Sequence, residues 1–218
     1  MNVSIDTSKI RIETDRLVIR AFCKDDLSDF YEYASVPGVG EMAGWPHHKT
    51  SETSKQILQS FMIEKEVFAL TLKENGKVIG SLGLHHSWAN EEPKYANMTS
   101  KEIGYVLSRN YWGQGFTSEA VKTVIVMCFH EYCCDMLTCG HFSTNYQSRR
   151  VIEKNGFKLE KQSVYHSKQL DMDFDCMKYV LLRSEWSDAA CFVRPAQITD
   201  AAELAKILCD SWQASYNS

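Results

Sequence analysis

The segment Tyr111-Trp112-Gly113-Gln114-Gly115-Phe116-Thr117-Ser118-Glu119-Ala120 constrains the fold more than any other part of the chain. A strand-like run, Glu102 to Leu107, precedes it. A helical stretch, Thr117 to Tyr132, follows, with Val121, Val124, Ile125 and Cys128 at amphipathic spacing. A turn of this kind leaves several backbone N–H groups unpaired at the positive end of a helix, where phosphate oxygens can meet them. Its glycines let a ligand approach the main chain. No Gly-Lys-Ser/Thr follows, so it is not a P-loop, and the third glycine of the dinucleotide fingerprint is missing. The residues imply another phosphate-bearing cofactor, or else a plain glycine-rich connection.

The remaining pattern fits around this unit. Ile10 to Phe22, with Ile12, Leu17 and Ile19, reads as one strand, and Asp25-Asp26 opens a helix carrying Leu27, Phe30, Tyr31 and Ala34. After Pro37-Gly38-Val39-Gly40 and a loop holding Trp45, Thr50 or Ser51 caps a second helix with Ile57, Leu58, Phe61 and Met62. Val67–Leu72 and Val78–Leu84 read as a hairpin, with Asn75-Gly76 supplying the positive φ angles of a tight turn. Met136–Phe142 is a further strand, and Asn145 to Asn155 a short helix ended by Gly156. Phe157–Tyr165 and Phe174–Leu182 form a closing antiparallel pair. The expected order is β-α-α-β-β-β-α-β-α-β-β, an α/β fold.

Composition narrows the function. With 218 residues, 44% hydrophobic and 24% charged, the chain can enclose a real core. A net charge of -4 without a long basic run argues against tracking nucleic-acid phosphates and mildly suits a cationic amine. No apolar stretch is long enough to span a bilayer and the start is polar, so no membrane role and a cytoplasmic location are expected. The eight cysteines sit within periodic apolar segments and read as reduced thiols; none has a local base and orienting partner, and zinc-ligand spacing is absent. No metal is expected.

A second informative segment runs Asn145-Tyr146-Gln147-Ser148-Arg149-Arg150-Val151-Ile152-Glu153-Lys154-Asn155-Gly156-Phe157. Capping accounts for Asn145 and Gly156 but not for the whole. The two segments together resemble the acetyl-CoA-binding core of the GNAT acetyltransferase superfamily: a Gln/Arg-x-x-Gly-x-Gly/Ala turn, then Asn-x-x-Ser and Gly-Phe. Glu13 to Arg20, Glu102 to Leu107, Tyr111 to Gly115 and Arg183-Ser184-Glu185-Trp186 are similar to its ribosomal-protein N-terminal (Ala/Ser) acetyltransferase branch, the RimJ/RimL type. The resemblance covers about Ile10 to Trp186. Trp112 stands where the motif has Gln or Arg, and Thr117 where it has Gly or Ala.

The resemblance implies a GNAT fold: a mixed, mostly antiparallel twisted sheet, helices on both faces, and a splayed fourth strand, Glu102 to Leu107, holding acetyl-CoA. It implies cofactor contacts at Tyr105, Val106, Leu107, Trp112, Gly113, Gln114, Gly115, Phe116, Thr117, Ser118, Asn145 and Ser148, with an N–H near Val106 facing the thioester oxygen. Acetyl transfer needs an amine without its proton, a stabilised oxyanion and a thiol leaving group. Glu102 is the candidate base, acting through water, and an ordinary exposed strand carboxylate would look the same in sequence. Ser148 is the candidate proton donor to sulfur, with Tyr146 and Tyr111 as rivals. The amine acceptor, a protein N-terminus or a small molecule, would enter past Trp45, His47, His48 and Glu102, with Asp171, Asp173 and Asp175 available to a cation. A catalytically silent acyl-CoA-binding module is the alternative, and a nucleotide-binding protein a third.

Residues 1–186 are therefore expected to form the acetyltransferase domain. Residues 187–218 resemble the first strand and helix of a truncated second domain, with Thr199 as cap and Leu204, Leu208 and Trp212 on the apolar face. That face could dock on its own domain or on a second copy as a homodimer.

Overall fold

The computed structural model describes residues 1–186 and, beyond them, 201, 205 and 206. The expected second-domain opening in the tail lies outside the described residues. The strands are β1 (Arg11–Glu13), β2 (Leu17–Ala21), β3 (Val67–Leu72), β4 (Val78–His85), β5 (Ser100–Leu107), β6 (Met136–Phe142), β7 (Lys158–Ser167) and β8 (Met172–Leu182). The helices are α1 (Leu27–Ala34), α2 (Ser51–Glu64), α3 (Phe116–His130) and α4 (Tyr146–Lys154). All eight strands share one sheet in the order β1-β2-β3-β4-β5-β6-β8-β7, antiparallel except for the β5–β6 pair.

The single opening strand of the sequence reading is in fact two strands. The side chain of Thr14 turns the chain back, its Oγ1 accepting the Leu17 N–H at 2.8 Å, so that Ile12 pairs with Ile19. The β3–β4 turn also differs. Only Gly76 has a positive φ, at 76°. Asn75 instead accepts the Lys77 N–H on its side chain at 3.0 Å, which closes a longer loop in which one left-handed residue suffices.

Two apolar layers flank the sheet. Leu70, Leu82 and Ile103 point to the side where α3 contributes Val124 and Ile125 and α4 contributes Ile152. Val67 and Ala69 point to the other side, under Phe30 of α1 and Leu58 of α2. The two-residue period of a strand produces this division, since neighbouring side chains leave opposite faces. Tyr105 and Leu107 thus belong to the α3–α4 face and Val106 to the α1–α2 face.

Candidate active site

The β5–β6 pairing stops early. Ser100 to Ile103 pair with Met136 to Cys139, whereas β4 stays paired with β5 as far as Leu107, and β8 with β6 as far as Phe142. From Gly104 onward β5 therefore lacks a neighbour on its β6 side, and a wedge opens between the strands. The Ser108 N–H bonds the Ile79 carbonyl at 2.7 Å, which fixes the alternation of the ladder. By that alternation the main-chain groups of Tyr105 and Leu107, flanking Val106, face the wedge. The Trp112 indole N–H donates to the Leu107 carbonyl at 2.8 Å and closes the far end.

Just beyond, the chain enters α3 through Gly113 (φ 75°) and Gly115 (φ 84°), both left-handed. The Trp112 N–H bonds Arg109 O at 3.2 Å. The next six amides, Gly113 to Ser118, bond no acceptor among the described residues. They lie at the positive end of a 15-residue helix, where a diphosphate would find both donors and a favourable field. Thr117 is largely buried, and its amide stays in the row of unbonded donors.

Arg16 holds this turn in place. Its Nε and Nη2 reach Glu119 Oε2 at 2.7 and 2.6 Å, its Nη1 donates to Gln114 O at 2.9 Å, and its guanidinium lies 4.2 Å from the Phe116 ring centre. Burial pushes the Glu119 carboxyl up, but hydrogen bonds from Thr14 and Arg16 together outweigh it and hold the carboxyl below its ordinary range. A negative charge in the first turn of α3 is thereby neutralised before any anion arrives.

On the same face, Asn145 caps α4 by accepting the Ser148 N–H at 3.0 Å. Ser148 Oγ lies 2.8 Å from the Tyr105 hydroxyl, which joins α4 to the splayed strand. Burial drives the Tyr105 phenol well above its ordinary pKa, so it stays protonated. Of the rival donors, Tyr146 is exposed, and Tyr111 packs edge-on against Phe116.

Glu102 and the residues expected to meet the acceptor stand elsewhere. Glu102 shares its strand face with Gly104 and Val106, and its side chain keeps only 22% of its exposure, unlike an open surface carboxylate. Burial raises its pKa above the ordinary value, against the pull of Lys178, whose Nζ is 4.0 Å away. Trp45 is half-buried beside His48, with ring centres 5.0 Å apart. Both loop imidazoles are held within the protein. His47 Nδ1 lies 2.8 Å from Glu41, whose carboxyl is raised by burial but held down to about 2 by His47 and the surrounding N–H groups; His48 Nδ1 lies 2.7 Å from Ser54 Oγ. The Ser167 hydroxyl donates to Gly44 O at 2.6 Å, seating this loop on the β7–β8 hairpin. Asp171 and Asp173 are at the exposed hairpin tip, where Asp173 bonds His166 at 2.8 Å.

A family model described as "Acetyltransferase (GNAT) domain" matches residues 16–158, well over half of the chain. The chain belongs to the GNAT acetyltransferases. Among its relatives, "Uncharacterized N-acetyltransferase p20" of Bacillus licheniformis is 27% identical over 179 residues, covering 80% of this chain and 97% of that protein. "Uncharacterized N-acetyltransferase YnaD" of Bacillus subtilis is 27% identical over 183 residues, covering 82% and 100%. Of solved structures, a GNAT-family acetyltransferase from Bacillus anthracis superposes with a TM-score of 0.70 at 23% identity, over 81% of this chain and all of that one. A ribosomal-protein-S5-alanine acetyltransferase from Vibrio fischeri superposes with a TM-score of 0.60 at 18% identity, over 82% and 99%. The GNAT fold accounts for the sheet, the wedge and the flanking helices, and makes this chain an acetyltransferase of a family that uses acetyl-CoA.

Within this GNAT domain the sequence-predicted residues fall into two groups on opposite faces. The turn Trp112 to Ser118, Tyr105, Leu107, Asn145 and Ser148 gather on the α3–α4 side of the wedge, while Glu102, Val106 and Trp45 lie on the other. Arg16 and the Tyr105 hydroxyl were missed as functional parts of the site. Arg16 lies about a hundred residues from its partners, and nothing local announces it.

Proposed function

We propose that this protein transfers the acetyl group of acetyl-CoA to a primary amine by direct attack in a ternary complex. The row of unbonded amides from Gly113 to Ser118, opening beside a wedge in the sheet, carries this reading. Those amides fit a diphosphate, and the edge of β5 at Tyr105 to Leu107 fits an extended pantetheine arm. Bound there, the cofactor supplies an activated acetyl group as a thioester.

The residues would then share the work. Trp112, Gly113, Gln114, Gly115, Phe116, Thr117 and Ser118 hold the phosphates, and Asn145 fixes the first turn of α4. Ser148 donates a proton to the departing sulfur, supported by Tyr105, whose hydroxyl can donate to Ser148 Oγ and leave the serine proton free. Glu102, made more basic by burial, takes a proton from the acceptor through water. The open face near Trp45 and His47 receives the amine.

The residues shared with the RimJ/RimL-type branch favour a protein N-terminal α-amine over a small amine, and a cytoplasmic setting suits such a substrate. Residues 1–186 form the catalytic unit in this reading, and 187–218 an appended segment. The test measures thiol release from acetyl-CoA against a panel of N-terminal peptides and small amines, with Glu102→Gln and Ser148→Ala beside the parent protein. Turnover lost in both variants, with coenzyme A binding retained, supports the assignment. Coenzyme A binding without turnover on any amine would instead indicate a silent acyl-CoA module.

A further inference from the structure

We infer that His85 is the residue that accepts the acceptor amine's proton, an assignment that rests on the acetyl-transfer reading but names a different base. His85 ends β4 directly opposite Glu102 in register, and Gly83 is opposite Gly104 in the same pair of strands. These four residues lie on one face of the sheet, because positions two apart along a strand point the same way. The imidazole lies back across both glycines. A Cβ on Gly83 would stand 2.2 Å from Nε2, and one on Gly104 3.3 Å from Cδ2. Chain neighbours aside, the three nearest atoms at Gly83 and the two nearest at Gly104 all belong to this ring, so the ring occupies the space that the missing side chains leave.

Gly104 is also the first β5 residue past the last β5–β6 pair, Ile103 with Cys139. The ring therefore covers the mouth of the wedge, on the face opposite Tyr105 and Ser148. Its Nδ1 lies 4.0 Å from Glu66 Oε2, too far for a hydrogen bond but near enough for the carboxylate to favour the imidazolium once Nε2, over the glycines, takes a proton. The charged and titratable groups around it are Glu64 and Glu66 at the α2–β3 junction, Lys101 and Glu102 on β5, and His86 beside it. Burial lowers its pKa, Glu66 opposes that and Lys101 adds to it, so the ring is neutral near pH 7 and free to take a proton. The side chain keeps 51% of its exposure, which gives that proton a way out to solvent.

In the step, the amine lone pair forms a C–N bond to the acetyl carbon. The C–S bond breaks with its electrons on sulfur, which takes one proton from Ser148. The proton lost by nitrogen passes to His85 Nε2, which releases it to solvent. Ser148 regains from solvent the proton it gave to sulfur, so that one neutral amine and one thioester give one amide and one thiol. Glu102 then acts as an electrostatic neighbour that favours the positive charge developing on the attacking nitrogen and on the protonated ring.

His85→Ala is expected to lower kcat by about 100-fold or more, with KM and coenzyme A affinity changed less than about 3-fold. The acid limb of the kcat profile should disappear, and added imidazole should restore part of the rate. Gly83→Ala keeps the histidine but displaces its ring. It should reproduce the loss of rate, and the ring's NMR titration midpoint should move up toward that of a free imidazole, a readout independent of turnover. A His85→Ala variant that keeps kcat while Glu102→Gln loses it overturns the assignment and leaves acetyl transfer standing. Absence of turnover on every amine by the parent protein, with coenzyme A bound, overturns both.

Discussion

Replacing Arg16 by alanine separates two consequences of the brace over the phosphate turn. Arg16 gives Glu119 two charge-assisted contacts at 2.6 and 2.7 Å and donates to Gln114 O at 2.9 Å. The arginine side chain is 44% exposed and that of Glu119 19%, so screening reduces what the pair contributes. Loss of the side chain should cost about 1 to 2 kcal/mol of stability. For a domain of this size that is a fall in Tm of about 2 to 8 °C.

The second consequence is electrostatic. Without Arg16 the Glu119 carboxylate stands uncompensated in the first turn of α3, next to the amides that should receive phosphates. At an effective dielectric near 40 and a separation of about 8 Å, each unit of phosphate charge meets about 1 kcal/mol of repulsion. Coenzyme A affinity should therefore fall by about 10-fold or more, as read by calorimetry at low salt. Adding Glu119→Gln removes the bare charge, so Arg16→Ala/Glu119→Gln should recover most of the affinity while staying as thermally weak as the single variant. If affinity in Arg16→Ala is unchanged, or if the double variant binds no better than it, the field argument is wrong and the turn does not receive the anion.

Tyr105→Phe should lower Tm by about 2 to 4 °C and kcat by about 5-fold, since it removes one hydrogen bond of about 1 kcal/mol behind Ser148. Combined with Ser148→Ala it should add little further loss, because the tyrosine acts through the serine. Asp26 is buried and accepts from Arg20 at 2.8 Å twice and from the Cys23 N–H at 2.8 Å. Burial raises its pKa, but these donors outweigh it and leave the net value below that of the unfolded chain, so its stabilisation is full above the unfolded pKa and fades as pH falls through the folded one. Asp26→Asn should lose about 3 kcal/mol near pH 7 and show a flatter acid limb in urea titrations from pH 6 to 2. Asn145→Ala should lose about 1 kcal/mol with α4 still formed, visible as a lower urea midpoint.

The sequence revealed this fold where one period ran long enough to be read. β3, β6 and α3 carry continuous apolar runs, and their limits agree with the expected ones to within two residues. The opening hairpin was passed over although alternation slips there: Ile12 is even and Leu17 and Ile19 are odd, a change of parity that Thr14-Asp15-Arg16 produces by turning the chain. Glycines 113 and 115 pointed to a turn with free amides because both adopt the left-handed conformation that such a turn needs. The Arg16 brace, the Tyr105–Ser148 contact and the ring of His85 over Gly104 were illegible for one reason: each depends on the register of strands and helices distant in sequence.

In the proposed mechanism, the placement of acid and base follows from the sheet itself. A continuous sheet is closed by its own hydrogen bonds, so groups on its two faces cannot share a substrate. Where β5 leaves β6 after Ile103, that barrier ends, and the main-chain groups facing the gap from the two strands are those of Tyr105 and Leu107 on one and the β6 edge on the other. A thioester lying in the gap can then be protonated at sulfur from the α4 face by Ser148 while an amine approaches from the opposite face. His85 and Glu102 stand there, the ring lying over the two glycines at the mouth of the gap. The two partial reactions use groups that never contact each other, so neither proton donor nor proton acceptor neutralises the other before substrate arrives. A side chain placed at Gly104 tests this geometry directly. Gly104→Val should close the amine's approach and raise the acceptor KM steeply, while coenzyme A, held from the other face, binds as before. Equal losses of both affinities would mean that the two substrates enter from one side and that the division of the site between faces is wrong.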